Sequence, residues 1–289
     1  MKKISFLCII LFCFIALLVS SCSGGTSESK KEETVVDSTS SKKDTAKQAF
    51  KVYSLPAPMQ IPTAIRNLSA KFNEEYLKPS DNLKPSGDND REAFILGILG
   101  VDMGYCSVYG QNQAVMNYMS KIARLAQDIN ITGAFAPSVI ERLKANVSHP
   151  DSASYILLSS FNNARNFLKE NKREGTSYLI GGGSLIEGLH MTTSILKKQR
   201  SPDMLKLLGI QKFFLTDVDE LLGMYSTEEN MKPFYSGIDD LKKLFDDVKV
   251  EMTGGDKKNK QEISNVVITD EQLAAITKRV DEIRASVLK

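Results

Sequence analysis

The chain lacks tryptophan, has only two histidines and four cysteines, and carries a formal net charge of only +2. No set of Cys and His residues has the spacing of the clustered ligands in a structural zinc site. His149 and His190 also give no order of serine, histidine and aspartate from which a catalytic triad can be argued. With 37 basic and 35 acidic residues, the composition provides no basic face of the kind that nucleic-acid binding usually needs. We therefore expect no nucleic-acid partner.

What is present from the first residues is an apolar segment. Lys2 and Lys3 give a basic start, and the sixteen residues from Ile4 to Val19 carry no charge. A basic start, an apolar middle and small residues at the end are typical of an export signal. The segment is shorter than the ~20 residues that a helix needs to cross a bilayer.

The end of that segment, Val19-Ser20-Ser21-Cys22, resembles the lipobox of bacterial lipoproteins. The resemblance implies that residues 1–21 are a signal peptide and that the Cys22 sulfur receives a diacylglycerol. It further implies that the new amino group is often acylated, for example with palmitate. The chain would then be anchored by lipid in the cell envelope, and we favour the outer membrane. Whether the body lies on its periplasmic face or at the cell surface is left undecided.

Two other interpretations of the same segment stay open. Signal peptidase could cut the chain without lipidation and release a soluble protein. The signal could also remain as an uncut anchor, because no charge appears from Ile4 to Ser27. Several acyl chains, each contributing roughly 0.8 kcal/mol per buried CH₂, would make a stable tether.

Cleavage before Cys22 changes the composition. The loss of Lys2 and Lys3 reduces the 37 basic residues to 35, equal to the 35 acidic residues, so electrostatic attraction to a membrane surface is not expected. Of the cysteines, only Cys106 would keep a free thiol, and no disulfide can form within the mature chain. We expect Cys106 to be a small buried hydrophobe.

The residues after Cys22 separate the anchor from the body. Residues 22–49 are rich in Ser, Thr, Lys and Glu and have little to bury, which predicts a disordered tether. A flexible coil of about 26 residues has an end-to-end distance of roughly 30 Å. The body is expected to span residues 50–289, which is ample for a sizeable core.

The periodicity of apolar residues in the body is helical nearly throughout. We predict an all-α bundle of about eight or nine helices, with loops at 78–90 and 253–261. Ser201 before Pro202 predicts an N-cap, and Thr269 with Gln272 predicts a capping box on a docked terminal helix. The predicted helices are Ile61–Phe72, Arg91–Tyr109, Gln111–Ile129, Ser138–Val147, Asp151–Asn171, Thr176–Gln199, Ser201–Leu222, Glu228–Val250 and one after Thr269.

Two of the predicted helices contain several glycines, about 85 residues apart, which hints at two related halves. One carries Gly97, Gly100 and Gly104, and the other carries 181–183 and Gly188. Each glycine costs up to ~1 kcal/mol relative to alanine inside a helix. Close packing of helix backbones would offset that cost. The alternative is that 181–183 form an anion-binding loop before a helix.

Five polar or aromatic side chains near these glycines are candidates for a buried polar cluster or a ligand pocket: Asp102, Tyr105, Tyr109, Glu187 and His190. The Glu187-x-x-His190 spacing resembles half of a ferritin-like di-iron site, but a second Glu-x-x-His is absent. We therefore predict no metal, no catalytic residue and no cofactor.

The sequence favours a non-enzymatic, lipid-anchored module that binds another envelope component or a small ligand, or has a structural role. The expected partners are the membrane, through lipid on Cys22, and an envelope protein. The alternative is a metal-dependent or hydrolytic enzyme centred on Glu187 and His190.

Overall fold

The computed structural model describes residues 53–77, 86–254 and 262–289. The predicted signal peptide, Cys22 and the tether therefore lie outside the described residues. So do residues 78–85 and 255–261, which make up most of the two predicted loops.

The described residues form an all-α bundle, which confirms the predicted fold class. They contain nine α-helices, two 3-10 turns and one two-stranded antiparallel sheet. In this part of the chain, no helix combines the length and the apolar character needed to cross a membrane. The elements are α1 (Gln60–Asn67), α2 (Asn89–Val108), α3 (Asn112–Asp128), α4 (Pro137–Asn146), α5 (Pro150–Glu170), α6 (Glu174–Lys198), α7 (Pro202–Gly223), α8 (Lys232–Asp246), β1 (Lys249–Thr253), β2 (Glu262–Val267) and α9 (Asp270–Val287).

Side-chain caps fix the starts of two helices, α7 and α9, where the sequence predicted them. The Ser201 hydroxyl accepts a hydrogen bond from the Met204 amide at 3.2 Å and begins α7. At the start of α9, the Thr269 hydroxyl accepts from the Gln272 amide at 3.2 Å, and the Gln272 side chain accepts from the Thr269 amide at 2.8 Å. Both predictions are confirmed, because these side chains satisfy amides that lack a partner within the helix.

Most helix boundaries differ from the prediction by a few residues, and for two of them the structure gives the reason. The first helix ends at Asn67 instead of reaching Phe72, because Ser69 has a φ of 60°, in the left-handed region. Helix α5 begins at Pro150 and places Asp151 inside the first turn, where the sequence predicted a cap. Proline is well suited to the first helical position, since its missing amide would have no partner there.

The helix predicted to reach Val250 was too long. Helix α8 ends at Asp246, and β1 pairs antiparallel with β2. The hairpin lies against α7, where Gly209 leaves room for Val250 and Val266. Burial of one face against a helix stabilises these two strands, which would be marginal alone.

At the centre of the bundle, α2 and α6 meet through their backbones. A Cβ atom built on Gly97 would lie 2.0 Å from the carbonyl oxygen of Ile180, and one on Gly183 would lie 1.9 Å from that of Phe94. No side chain fits in such a gap, so the glycines serve close packing. The anion-loop alternative is wrong, because 181–183 lie buried inside α6.

The α2–α6 contact is also reciprocal. Gly183 follows Gly97 by 86 residues and Ile180 follows Phe94 by the same 86, so each helix offers the equivalent glycine to the equivalent carbonyl of the other. This local two-fold relation fits the hint of related halves. A duplication beyond this helix pair stays a prediction.

The outer faces of the central helices receive the segment before α1. A Cβ on Gly181 would touch Leu55, and Cβ atoms on Gly100 and Gly104 would touch Pro58. On another side of α6, α9 packs against both α6 and α8, which confirms the predicted docking of the terminal helix. Cys106 is fully buried, and burial raises the pKa of its thiol to about 12.

Candidate functional site

Glu187 and Arg284 form a buried ion pair between α6 and α9. The guanidinium donates two hydrogen bonds to the carboxylate, from Nε to Oε2 at 2.6 Å and from Nη2 to Oε1 at 2.8 Å. The Glu187 side chain is 0% exposed and that of Arg284 is 14% exposed. A two-point pair of this kind is among the strongest polar contacts in proteins and fixes the orientation of both groups.

Asp102 lies beside this pair, fully buried on α2. Burial alone would lower the pKa of Arg284, but the charges of Glu187 and Asp102 outweigh it and raise that pKa. Burial, together with the charge of Asp102 and a hydrogen bond to it, raises the pKa of the Tyr118 hydroxyl on α3. Four helices therefore contribute to one buried polar cluster of Asp102, Tyr118, Glu187 and Arg284.

His190 lies one turn after Glu187 and makes a second contact with α9. Its Nδ1 atom is 2.8 Å from Oδ1 of Asp281. The spacing of Glu187 and His190 on α6 thus matches the spacing of Arg284 and Asp281 on α9. The Nε2 atom of His190 is buried and has no hydrogen-bond partner in the described part of the chain. The two pairs together fasten the terminal helix to the central one.

Tyr105 and Tyr109, near the end of α2, contact the segment after α1 and not α9. The Tyr105 hydroxyl accepts from the Asn73 amide at 3.0 Å, and the Tyr109 hydroxyl donates to the Ala70 carbonyl. Phe72 stacks on Tyr105 with ring centroids 5.2 Å apart. Burial raises the pKa of the Tyr105 hydroxyl to about 12. These two tyrosines therefore anchor the segment after α1. They are not part of the polar cluster at Glu187.

The five residues predicted from the sequence therefore divide between two places. Asp102, Glu187 and His190 lie near α9, and the two tyrosines contact residues 70–73. Arg284, Asp281 and Tyr118 were not among the candidates predicted from the sequence. The one signal that could have found the first two is the spacing of three residues between them, which repeats that of Glu187 and His190.

The cluster offers little access to a reactant. Both Glu187 oxygens already accept hydrogen bonds from Arg284, and the carboxylates of Asp102 and Glu187 are fully buried. In the residues that the structure describes, no group of three His, Cys, Asp or Glu side chains is placed to hold a metal ion. The arrangement is suited to stabilising helix contacts.

Apart from the buried polar cluster, the structure has a groove that is open to solvent, between α8, α9 and the start of α2. This α8–α9 groove has a volume of about 410 Å³, within the range of small-molecule sites. Its floor is apolar and is formed by Phe234, Ile283 and Val287. Phe234 stacks on Phe94 with ring centroids 5.3 Å apart, which fixes the aromatic part of the floor.

The rim of the α8–α9 groove is charged. Arg91 donates from Nε to the Val287 carbonyl at 2.8 Å. Arg279 donates to Asp240 at 3.0 Å and to Glu282 at 3.3 Å. Glu229 also lines the groove and is exposed; among the described residues its carboxylate has no ion-pair partner. The groove thus combines an apolar floor with charges, which is the composition expected of a ligand site.

Comparison with known proteins adds no relative. No protein-family model matches the chain, and searches of curated proteins and of solved structures found no significant match.

Proposed function

We propose that the chain is a lipid-anchored protein of the cell envelope whose helical body acts by binding a ligand or partner. In this proposal, lipid on Cys22 holds the body to a membrane, most simply the outer membrane, and residues 22–49 act as the tether. The body, residues 50–289, meets its partner through the α8–α9 groove.

Support for the anchor comes from the lipobox-like Val19-Ser20-Ser21-Cys22 and the apolar segment before it. A single acyl chain binds a membrane only marginally, whereas two or more hold it stably. The thiol and the new amino group of Cys22 together would supply that number.

The observation that favours binding over catalysis is the state of the candidate reactive groups. Glu187 would have to release Arg284 before it could serve as a base or a ligand. Releasing it would leave a charge buried without compensation, which costs several kcal/mol. The α8–α9 groove needs no such rearrangement, since its volume of about 410 Å³ is already present and Glu229 at its rim is exposed.

The anchor is tested by metabolic labelling with radioactive palmitate. Wild type and the Cys106→Ala variant should both incorporate label, because each retains Cys22. The Cys22→Ala variant should lose it. Equal labelling of Cys22→Ala and wild type would overturn the anchor.

The binding role is tested by crosslinking in native membranes with two variants of α9. Ser286 lines the groove and Ala285, its neighbour, does not; both are exposed. Ser286→Trp fills the groove, so we expect it to lose a crosslinked species that wild type and Ala285→Trp retain. Identical crosslinking of all three chains would show that the groove is not the binding surface.

A further inference from the structure

We propose that the α8–α9 groove binds a small ligand in which an apolar body of about aromatic size carries a protonated amine. This inference rests on the proposed binding function and names the chemical class of the ligand. It is carried by the apolar floor together with the uneven distribution of charge around the rim.

The apolar part of the ligand is set by the floor. Ile283 and Val287 are 6% and 5% exposed, so they present well-packed hydrocarbon and not mobile side chains. Phe234 is held by its stacking on Phe94. A Cβ atom on Gly237 would lie 3.3 Å from Ile283, so α8 and α9 pack closely at the base of the groove. A flat apolar group would bury its faces against these surfaces.

The charged part of the ligand is set by the rim. Three acids, Asp88, Glu229 and Glu282, and two bases, Arg91 and Arg279, line the groove. The lining alone therefore carries a formal charge of −1. Two further acids lie just outside it: Asp240 pairs with Arg279, and Asp90 accepts a hydrogen bond from Asn230. A cation is the complementary charge, and charge complementarity favours one class of ligand over its opposite.

The two bases are already engaged, which disfavours a carboxylate ligand. Arg91 donates to the carbonyls of Val287 and Lys289. Arg279 has its two terminal nitrogens on Asp240 and Glu282; its Nε atom has no hydrogen-bond partner among the described residues, but it is buried and inaccessible to solvent. A bound anion would have to displace these contacts. A bound amine would instead meet Glu229, whose carboxylate is exposed at the rim.

The test uses three probes with one aromatic body: L-phenylalaninamide, N-acetyl-L-phenylalaninamide and N-acetyl-L-phenylalanine. At pH 6 they are a cation, a neutral molecule and an anion, since an α-amino group titrates near pH 7.7–8.0. Binding to the full mature chain, purified from membranes in detergent, is measured by isothermal titration calorimetry. We expect the cation to bind about threefold more tightly than the neutral probe and about tenfold more tightly than the anion, as for exposed ion pairs.

Matched variants locate the charge and the groove. Glu229→Gln should reduce the affinity for the cation about threefold and leave the neutral probe unchanged. Glu141→Gln removes an equal charge from an exposed position on α4, outside the groove, and should change neither. Ser286→Trp should abolish binding of all three probes, whereas Ala285→Trp should not.

The outcomes separate this inference from the function on which it rests. Equal binding of the cation and the neutral probe, with both lost in Ser286→Trp, would overturn the ligand class and leave the groove as a binding site. Tighter binding of the anion would also overturn the ligand class. If Ser286→Trp binds every probe as wild type does, or if no probe binds wild type, the small-ligand inference is wrong. The groove as a partner-binding surface is then decided by the crosslinking of Ser286→Trp and Ala285→Trp.

Discussion

Helix α6 meets two of its neighbours, α2 and α9, in opposite ways. Toward α2 it presents glycines, and the backbones of the two helices touch where side chains are missing. Toward α9 it presents Glu187 and His190, which pair with Arg284 and Asp281. The contact with α2 depends on glycines that have no Cβ atom, and the contact with α9 depends on the pairing of opposite charges. Both sets of residues looked like candidates for chemistry, yet packing accounts for each.

A single substitution in the contact with α9 should lower the free energy of unfolding more than one in the contact with α2. Arg284→Ala leaves the buried carboxylates of Glu187 and Asp102 without their cation, so we expect it to lower the free energy of unfolding by about 3–5 kcal/mol. Equilibrium unfolding in urea measures this. The Lys278 side chain on the same helix is 80% exposed, and Lys278→Ala should cost less than about 0.5 kcal/mol. Similar losses for the two variants would show that the buried pair is not special.

The contact with α2 should respond to a single methyl group. Gly183→Ala places Cβ 1.9 Å from the Phe94 carbonyl, and a backbone atom cannot rotate away. We expect a loss of about 3 kcal/mol, at the upper end of overpacking costs, by the same urea measurement. Gly133→Ala is the control, because its Cβ would meet no atom within 4 Å. Unchanged stability in Gly183→Ala would mean that α2 and α6 do not touch as described.

These two contacts also show what the sequence could and could not predict. The glycines of α2 fall on one helical face, so close packing followed from local spacing. The pairs on α9 did not, because Arg284 lies 97 residues after Glu187 and Asp281 lies 91 after His190. Local periodicity carries no information on a partner so distant, which is why Glu187 and His190 suggested half of a metal site.

The hairpin was missed for the same physical reason. The apolar stripe of α8 continues through Phe245 to Val248, so its period predicts a longer helix. What ends the helix is the pairing of β1 with β2 and the packing of the hairpin on α7. By contrast, the starts of α7 and α9 are fixed by side chains within three residues, and the sequence predicted them.

Substitution of Tyr105 should lower the free energy of unfolding less than substitution of Arg284, because Tyr105 is not part of the contact with α9. Tyr105→Phe removes the hydroxyl that accepts from the Asn73 amide. We expect a loss of about 1 kcal/mol, as for one hydrogen bond, again from urea unfolding. Tyr155→Phe is the control, since Tyr155 is 68% exposed. A loss comparable to that of Arg284→Ala would place Tyr105 in the Glu187 cluster after all.

The smallest effect concerns pH and a buried carboxyl outside both contacts. Burial raises the pKa of Asp219 on α7 above its ordinary value of 3.8, although Lys242 opposes this. A raised pKa means that the protonated acid favours the fold, and that its contribution is lost as the pH rises from 3.8 through the folded value. Asp219→Asn should therefore be more favourable relative to wild type at pH 7 than at pH 4.

Urea unfolding at the two pH values checks this, with the exposed Asp128→Asn on α3 as the control. The control should show the same difference from wild type at both values. A greater relative benefit of Asp219→Asn at pH 4 would reverse the sign of the effect.

The most direct test removes the buried ion pair and measures both the stability of the fold and the binding of L-phenylalaninamide. A buried ionic group is often replaced by uncharged side chains at little cost when no charge is left behind, so the triple variant Glu187→Leu, Arg284→Leu and Asp102→Asn should fold with stability within about 1.5 kcal/mol of wild type. It should bind L-phenylalaninamide with unchanged affinity, because the α8–α9 groove is intact. A variant that folds equally well but loses this binding would contradict the account, since the function would then depend on the buried polar cluster itself.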